Sequence, residues 1–445
     1  MTGHSGASAA LAAAFKSALL SQGTAVFLIF ALLAIAWVTC RELLLARVRA
    51  DLIARLAASR TERAPEPAGR RVLRIGFGIL WIFDGLLQAQ PAMPGGLPSH
   101  VLAPAAAGSP GWVMRAVEWA ATAWSAHPVQ AAAGAVWIQL GIGVWLLSCA
   151  SPRWSRSAGL VSLGWGLIIW VFGEAFGGML GPGVTWLTGA PGAGLFYCAA
   201  GLLLALPATS WHDGRLGRRA LQAFGALMLG LAVLQAWPGR GFWQGRLHGQ
   251  PGALAAGIGD MAATRQPAVL RGVVSSAAAL VASHGFAVNL AAVIVLAAVG
   301  GCLVTGRAAV ARPAALVAIV VCLADWVFVQ DLGFLGGLGT DPNSMLPQAL
   351  ILTAGLVAMV SAPAAASAHG CALSPAPADA AAARSAAQAA AGGGPVRARE
   401  LPGRAVRGLG LALGTASTSS VLTLWAAAMV LLGAVPMVLT IARRT

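Results

Sequence analysis

Four acidic residues interrupt stretches of this chain that are otherwise apolar: Asp84, Glu174, Asp325 and Asp331. An ionisable group at the centre of a membrane helix costs about 2.5–3.5 kcal/mol on insertion scales, so each needs a partner or a task. Asp325 lies nearest the middle of its run. Gln88 follows Asp84 by one helical turn on the same face, and Trp81 precedes it by one turn. Gln235 and Gln330 occupy comparable places in later runs, and Gln330 adjoins Asp331. His127 and His284 each stand just before an apolar run. Carboxyls, amides and imidazoles placed this way could bind a metal ion, a quinone head group or a cation, or relay protons. The matched histidines could also ligate a haem. Capping the following helix is the competing role for both histidines, and an acid could simply pair with an Arg or a partner subunit.

Two glycine-rich loops add candidates. In 177–192 and 336–347 the glycines permit tight turns, and Pro191 and Pro347 suit the first turn of a following helix. Asp341 and Ser344 fit the N-cap position, and Asp341 and Asn343 could also bind a ligand. No Gly-Lys-Ser/Thr follows, so these are not phosphate loops. There is no Ser/His/Asp order, no HExxH and no zinc-type Cys/His spacing. The sequence therefore names no catalytic residue and no metal ligand set.

The elements that must position these residues follow from composition. Hydrophobic residues make up 58% of the 445 and charged ones 10%. That balance excludes both an ordinary soluble domain and a disordered chain. Apolar runs long enough to cross about 30 Å of hydrocarbon recur. Ten are read: 20–40, 72–90, 128–149, 157–178, 192–207, 219–237, 285–305, 313–332, 346–362 and 418–441, the fifth being short. The expected fold is all-α and polytopic.

The net charge of +15 is mostly a topology signal. Of 29 basic residues, 21 fall in alternate connections, nine of them between Arg41 and Arg74. The positive-inside rule puts these in the cytoplasm and both termini outside. Nucleic acid is not an expected partner; the lipid bilayer of the plasma (inner) membrane is. The N-terminal run lacks a small-residue cleavage site and reads as an uncleaved anchor. No cysteine falls in a predicted outer loop, so no disulfide framework is expected.

An internal duplication stands out. Residues 170–207 match 326–363 without a gap, pairing Trp170 with Trp326, Gly177 with Gly333 and Pro191 with Pro347. With small changes of offset, His127 pairs with His284, Gly78 with Gly225 and Gln88 with Gln235. Each copy reads as a helix, a long outer loop, then three helices, repeated in parallel about an axis along the membrane normal. The acids, amides and histidines then fall largely in the outer half, as a polar cavity built twice and since diverged. The expected divisions are an N-terminal anchor and basic segment (1–69), repeat 1 (70–209), repeat 2 (210–363), an Ala/Pro/Gly-rich cytoplasmic linker (364–417) and a final helix (418–445). In the first outer loop Trp112, Ala116, Trp119 and Ala123 form one helical stripe, as expected of a helix lying on the bilayer surface. Trp112, Trp119, Trp124, Trp186, Trp237 and Trp243 sit near run ends, as an aromatic belt would.

A four-span unit with such a loop, opening on RVLRIGFGILWIFDGLLQ (71–88) and continuing through IQLGIGVWLLSCASPRWSR (138–156), resembles the DoxX/DoxD-like membrane families. The resemblance covers about 71–207 and, more weakly, 218–363. It implies a subunit of a redox assembly, and it carries over no individual residue. The leading expectation is an integral membrane subunit of a redox or electron-transfer assembly, handling quinone or protons near the outer face. Partner subunits or a homo-oligomer would complete it, and quinone, haem or a metal would be its cofactor. The alternatives are a small-solute transporter with its path between the repeats and a non-catalytic scaffold for partner subunits.

Overall fold

The computed structural model describes residues 2–47, 66–149, 152–181 and 183–361. Most of the basic segment, the linker 364–417 and the expected helix at 418–441 lie outside them. Among the described residues the only strands are Arg246–Leu247 and Gln250–Pro251, a small antiparallel hairpin. Everything else regular is helical, as lipid requires of a chain that must satisfy its own backbone.

The main helices are α1 (Thr2–Arg47), α2 (Ala68–Gln88), α3 (Gly111–Ala126), α4 (Pro128–Ser148), α5 (Pro152–Ile168), α6 (Ala193–Ala205), α7 (Arg215–Ala236), α8 (Ala253–Ala263), α9 (Ala268–Val304), α10 (Ala308–Phe328) and α11 (Met345–Ser361). Six are long and apolar enough to cross a membrane, or seven if α2 and the segment Met93–Ala106, bent by 94° from it, form one span. The runs expected at 192–207 and 346–362 instead give α6 and α11, about 20 and 26 Å long at 1.5 Å per residue. Neither reaches across 30 Å alone.

Small residues let these helices touch. A Cβ on Gly143 of α4 would stand 2.7 Å from the Gly78 carbonyl of α2, and Gly225 of α7 and Gly300 of α9 approach equally closely, at 2.8 Å. Gly159 and Gly201 join α5 to α6 at 2.7 Å. Helix α11 packs between α2 and α7, where Ala358 meets both Gly69 and Gly217. Without a hydrophobic drive between helices in lipid, such close backbone packing supplies much of their association.

Two of the arginines read as topology markers are structural. Arg70 is fully buried and donates to the Leu204 carbonyl at 3.0 Å and to Ser155 Oγ at 2.9 Å. Arg74 donates to the Leu146 carbonyl at 2.7 Å, and Glu66 accepts from both guanidinium groups. They thus satisfy the open C-terminal carbonyls of α6 and α4. Helix α1 packs on α4 through Gln22, which accepts from Trp137 Nε1 at 2.8 Å. Farther along, Phe27, Leu32 and Ile35 are exposed, a face suited to lipid.

Candidate functional site

A chamber lies between α2, α4, α5 and α6. It encloses about 470 Å³, within the range of small-molecule sites. Its floor and sides come from α2, α4, α5 and α6. Its roof comes from Val101 and Leu102 on the bent segment and from Trp119, Ala123 and Trp124 on α3. Helix α3 therefore covers a cavity as well as having an outer face. It buries Val113, Val117 and Trp124, and leaves Trp112 and Trp119 each 52% exposed. Trp124 and Trp186, expected in an aromatic belt, are core residues, because their indole N–H groups reach the Pro94 carbonyl and Gln348 Oε1.

Asp84 is the most deeply placed acid on the wall. Tyr197, the chain's only tyrosine, donates its hydroxyl to Asp84 Oδ2 at 2.6 Å. The tyrosine ring is held edge-on between Trp81 and Phe77, at 4.5 and 5.2 Å. Trp81 is fixed in turn by donating to Ser162 Oγ. The second oxygen, Asp84 Oδ1, is buried and has no hydrogen-bond partner among the described residues. The same is true of Gln88 Oε1, Gln139 Oε1 and Trp165 Nε1 on the same wall.

Irregular backbone places the other two carboxyls. Helix α5 ends in a wide turn in which Glu174 N–H bonds the Ile169 carbonyl, five residues back. A second such turn, Ala103 to Pro98, forms part of the roof. Wide turns of this kind concentrate at functional sites. Four successive residues after Glu174 have positive φ: Ala175, Phe176, Gly177 and Gly178. For the two that are not glycine this strain is of order 1–3 kcal/mol each, held by the surrounding structure. It turns the Glu174 carboxylate onto the start of α6, where it accepts from Gly194 N–H at 3.0 Å. A side chain at Gly192 would collide with that carboxylate. Asp341 comes from the loop before α11, accepting from Thr340 Oγ1 at 2.9 Å and Asn343 N–H at 2.8 Å. Burial raises the pKa of Asp341 above the usual carboxylate range, against those two bonds. Glu174, one residue beyond the span that ends at Gly173, is raised by burial first and by Asp341 second.

Of the residues singled out from sequence, the structure brings Asp84, Gln88, Glu174 and Asp341 to one wall and leaves the rest elsewhere. Gln235 is buried between Thr185, which donates to it, and Asn289, to which it donates at 2.7 Å. Asp325 is buried on α10, with the Gln330 side chain as its hydrogen-bonding neighbour. Gln330 donates to the Leu187 carbonyl, Asp331 accepts from Thr264, and Asn343 donates to the Gln330 carbonyl. His127 and His284 are exposed at two breaks of similar backbone, φ −141° and −128°, and neither faces the chamber. Each histidine serves as a bend, His127 between α3 and α4 and His284 within α9. No cluster of three His, Cys, Asp or Glu that could hold a metal occurs among the described residues. A second space, between α7, α9 and α10, measures about 10 Å³ and is apolar, with Trp186 on its wall.

The sequence reading missed Tyr197, Gln139 and Trp165. One signal was available: a single tyrosine in a chain with 16 Trp and 13 Phe marks a place where an aromatic hydroxyl is wanted. No protein-family model, no curated protein and no solved structure matches this chain.

Proposed function

We propose that the protein is a small-solute carrier of the plasma membrane, whose solute binds in the chamber of the first four-helix unit. One observation carries this reading. A largely apolar chamber of about 470 Å³ has Asp84 on its wall with one oxygen unpartnered, and its acids come from both halves of the chain. Thr340 and Asp341, from the second unit, complete a site otherwise built by the first. Movement of one unit against the other would open it, as in transporters built from repeats.

The same reading includes about ten spans, both termini outside, and two parallel repeats. Beyond the sequence match, three pairs of features support duplication. Gly78 and Gly143 meet as Gly225 and Gly300 do. Ala175, Phe176 and Gly177 share the left-handed conformation of Asp331, Leu332 and Gly333, 156 residues on. His127 and His284 break their helices alike. On this alignment Asp84, Trp81, Gln139 and Trp165 stand opposite Leu231, Met228, Leu296 and Val321, so the second unit keeps the frame and loses the polar wall.

A second reading keeps the DoxX-like resemblance: a subunit of a redox assembly, with partner subunits, binding a quinone or quinol. The Asp84–Tyr197 hydrogen bond within an aromatic chamber favours it, since such a pair can exchange a proton with a ring hydroxyl. Native mass spectrometry from mild detergent tests the chamber itself. A small molecule should accompany the wild type and be lost from Ala135→Trp, which fills the chamber, and from Asp84→Asn. Equal retention by both folded variants would place the ligand elsewhere and end the proposal.

A further inference from the structure

The chamber wall carries three carboxyls and, among its lining residues, no Lys, Arg or His. In so apolar a space an ionised carboxylate without a counter-charge is strongly disfavoured, so each acid either keeps its proton or meets a cation. The three differ in what the protein already gives them. Glu174 has the Gly194 N–H, and Asp341 has Thr340 and Asn343. Asp84 has Tyr197 alone, is 3% exposed, and keeps Oδ1 bare. Among the described residues Asp84 has no basic partner, and it lines the chamber.

Gln88 and Gln139, 7% and 3% exposed, carry side-chain amides without a hydrogen bond among the described residues, and Trp165 Nε1 is likewise unpartnered, so these groups offer donors and acceptors alike and the charge preference rests on the three carboxyls. Reversing either amide would leave the three carboxyls unchanged. Trp81, Trp119, Trp165 and Phe172 also line the space, and aromatic rings of this kind attract cations through their quadrupoles. We infer that the ligand is an organic cation with an apolar body, a protonated amine or quaternary ammonium, bound against Asp84 in exchange for one proton. This rests on the chamber being a ligand site. Charge balances: one positive charge enters and one proton leaves to the aqueous phase.

The titratable groups facing Asp84 within the chamber are Tyr197, Glu174 and Asp341. On the elements packed round it, His100, Arg115, Glu118 and His127 are exposed on the roof segments, as is Lys16 on α1. Arg70 and Arg74 are held by Glu66, about 15–21 Å down the same helix. None of these can neutralise Asp84 directly.

The test uses the full chain in lipid nanodiscs and three probes: benzyltrimethylammonium, its neutral isostere neopentylbenzene, and methylhydroquinone. The cation is permanently charged, so any proton change belongs to the protein. The cation should bind about tenfold or more tighter than the isostere. Its affinity should rise about tenfold per pH unit across the range in which one proton is displaced, with release seen by an indicator dye. Asp84→Asn should remove the preference for the cation while the isostere still binds, which shows that the variant is folded. Equal binding of cation and isostere, or binding of the cation without proton release, would overturn the inference and leave the chamber as a ligand site. Tighter binding of methylhydroquinone would overturn it in favour of the quinol reading. If none of the three binds, both the inference and the carrier reading fall.

Discussion

Replacing Tyr197 with Phe removes one oxygen and little else. The ring keeps its contacts with Trp81 and Phe77, at 4.5 and 5.2 Å, so packing is nearly unchanged. What is lost is the 2.6 Å hydrogen bond to Asp84, whose other oxygen is already unpartnered, so a buried carboxyl loses its last protein partner. A hydrogen bond between neutral groups contributes about 0.5–1.5 kcal/mol, and a buried polar group left bare costs about 1–3 kcal/mol. The expected destabilisation is therefore about 2 kcal/mol, roughly a thirtyfold change in the folding equilibrium. The way to isolate it is a double-mutant cycle with Asp84→Leu, the residue that the aligned position Leu231 already carries. Reversible unfolding in mixed micelles, followed by tryptophan fluorescence, gives the four free energies. If the pair is real, Tyr197→Phe should cost about 2 kcal/mol in the wild type and almost nothing once Asp84 is gone. Additivity within about 0.5 kcal/mol would refute the pairing of these two groups.

Asp325 makes the opposite case. Asp325 has no place on the chamber wall, so Asp325→Leu should leave probe binding unchanged. A loss of binding in that variant alone would show that the wrong acid has been chosen. Glu66→Ala strands two buried guanidinium groups and should cost about 3 kcal/mol in the same unfolding assay. A cost under about 0.5 kcal/mol would mean that the carbonyls alone hold Arg70 and Arg74. Gly143→Ala places a methyl 2.7 Å from a carbonyl and should destabilise by about 1–3 kcal/mol, as should Gly300→Ala in the other unit. Tolerance of both would remove the close helix contact. The raised pKa values of Asp341 and Glu174 set the sign of a pH effect. The folded chain binds protons that the unfolded chain releases, so ligand-free stability is greatest at low pH. It should fall as pH rises from the ordinary carboxylate range through the raised values, and a thermal melt that improves across that interval would contradict it.

Much of this arrangement is legible in sequence because membrane helices announce themselves through length and polarity. The apolar runs, the arginine-rich connections and the glycine positions all carry that signal. So do Asp84 and Glu174, which stand out because a carboxyl in such a run is expensive. What the sequence does not show is convergence. Asp84, Glu174 and Asp325 look alike as isolated acids, and only the tertiary packing decides which of them shares a wall. Tyr197 reads as one more core aromatic until Asp84 is found beside it. Arg70 and Arg74 read as topology charges until α4 and α6 are found ending against them. The repeat also misleads, because a match of glycines and prolines reports a shared frame and says nothing of what fills it. Gly78 with Gly143 and Gly225 with Gly300 set the backbone spacing of two helix pairs, whereas Asp84, aligned in sequence with Leu231, and Gln139, aligned with Leu296, set the polarity inside. These are different physical quantities, steric in one case and electrostatic in the other. On the duplication reading, they diverged independently, leaving one unit with an acidic chamber and the other with an apolar gap beside Trp186.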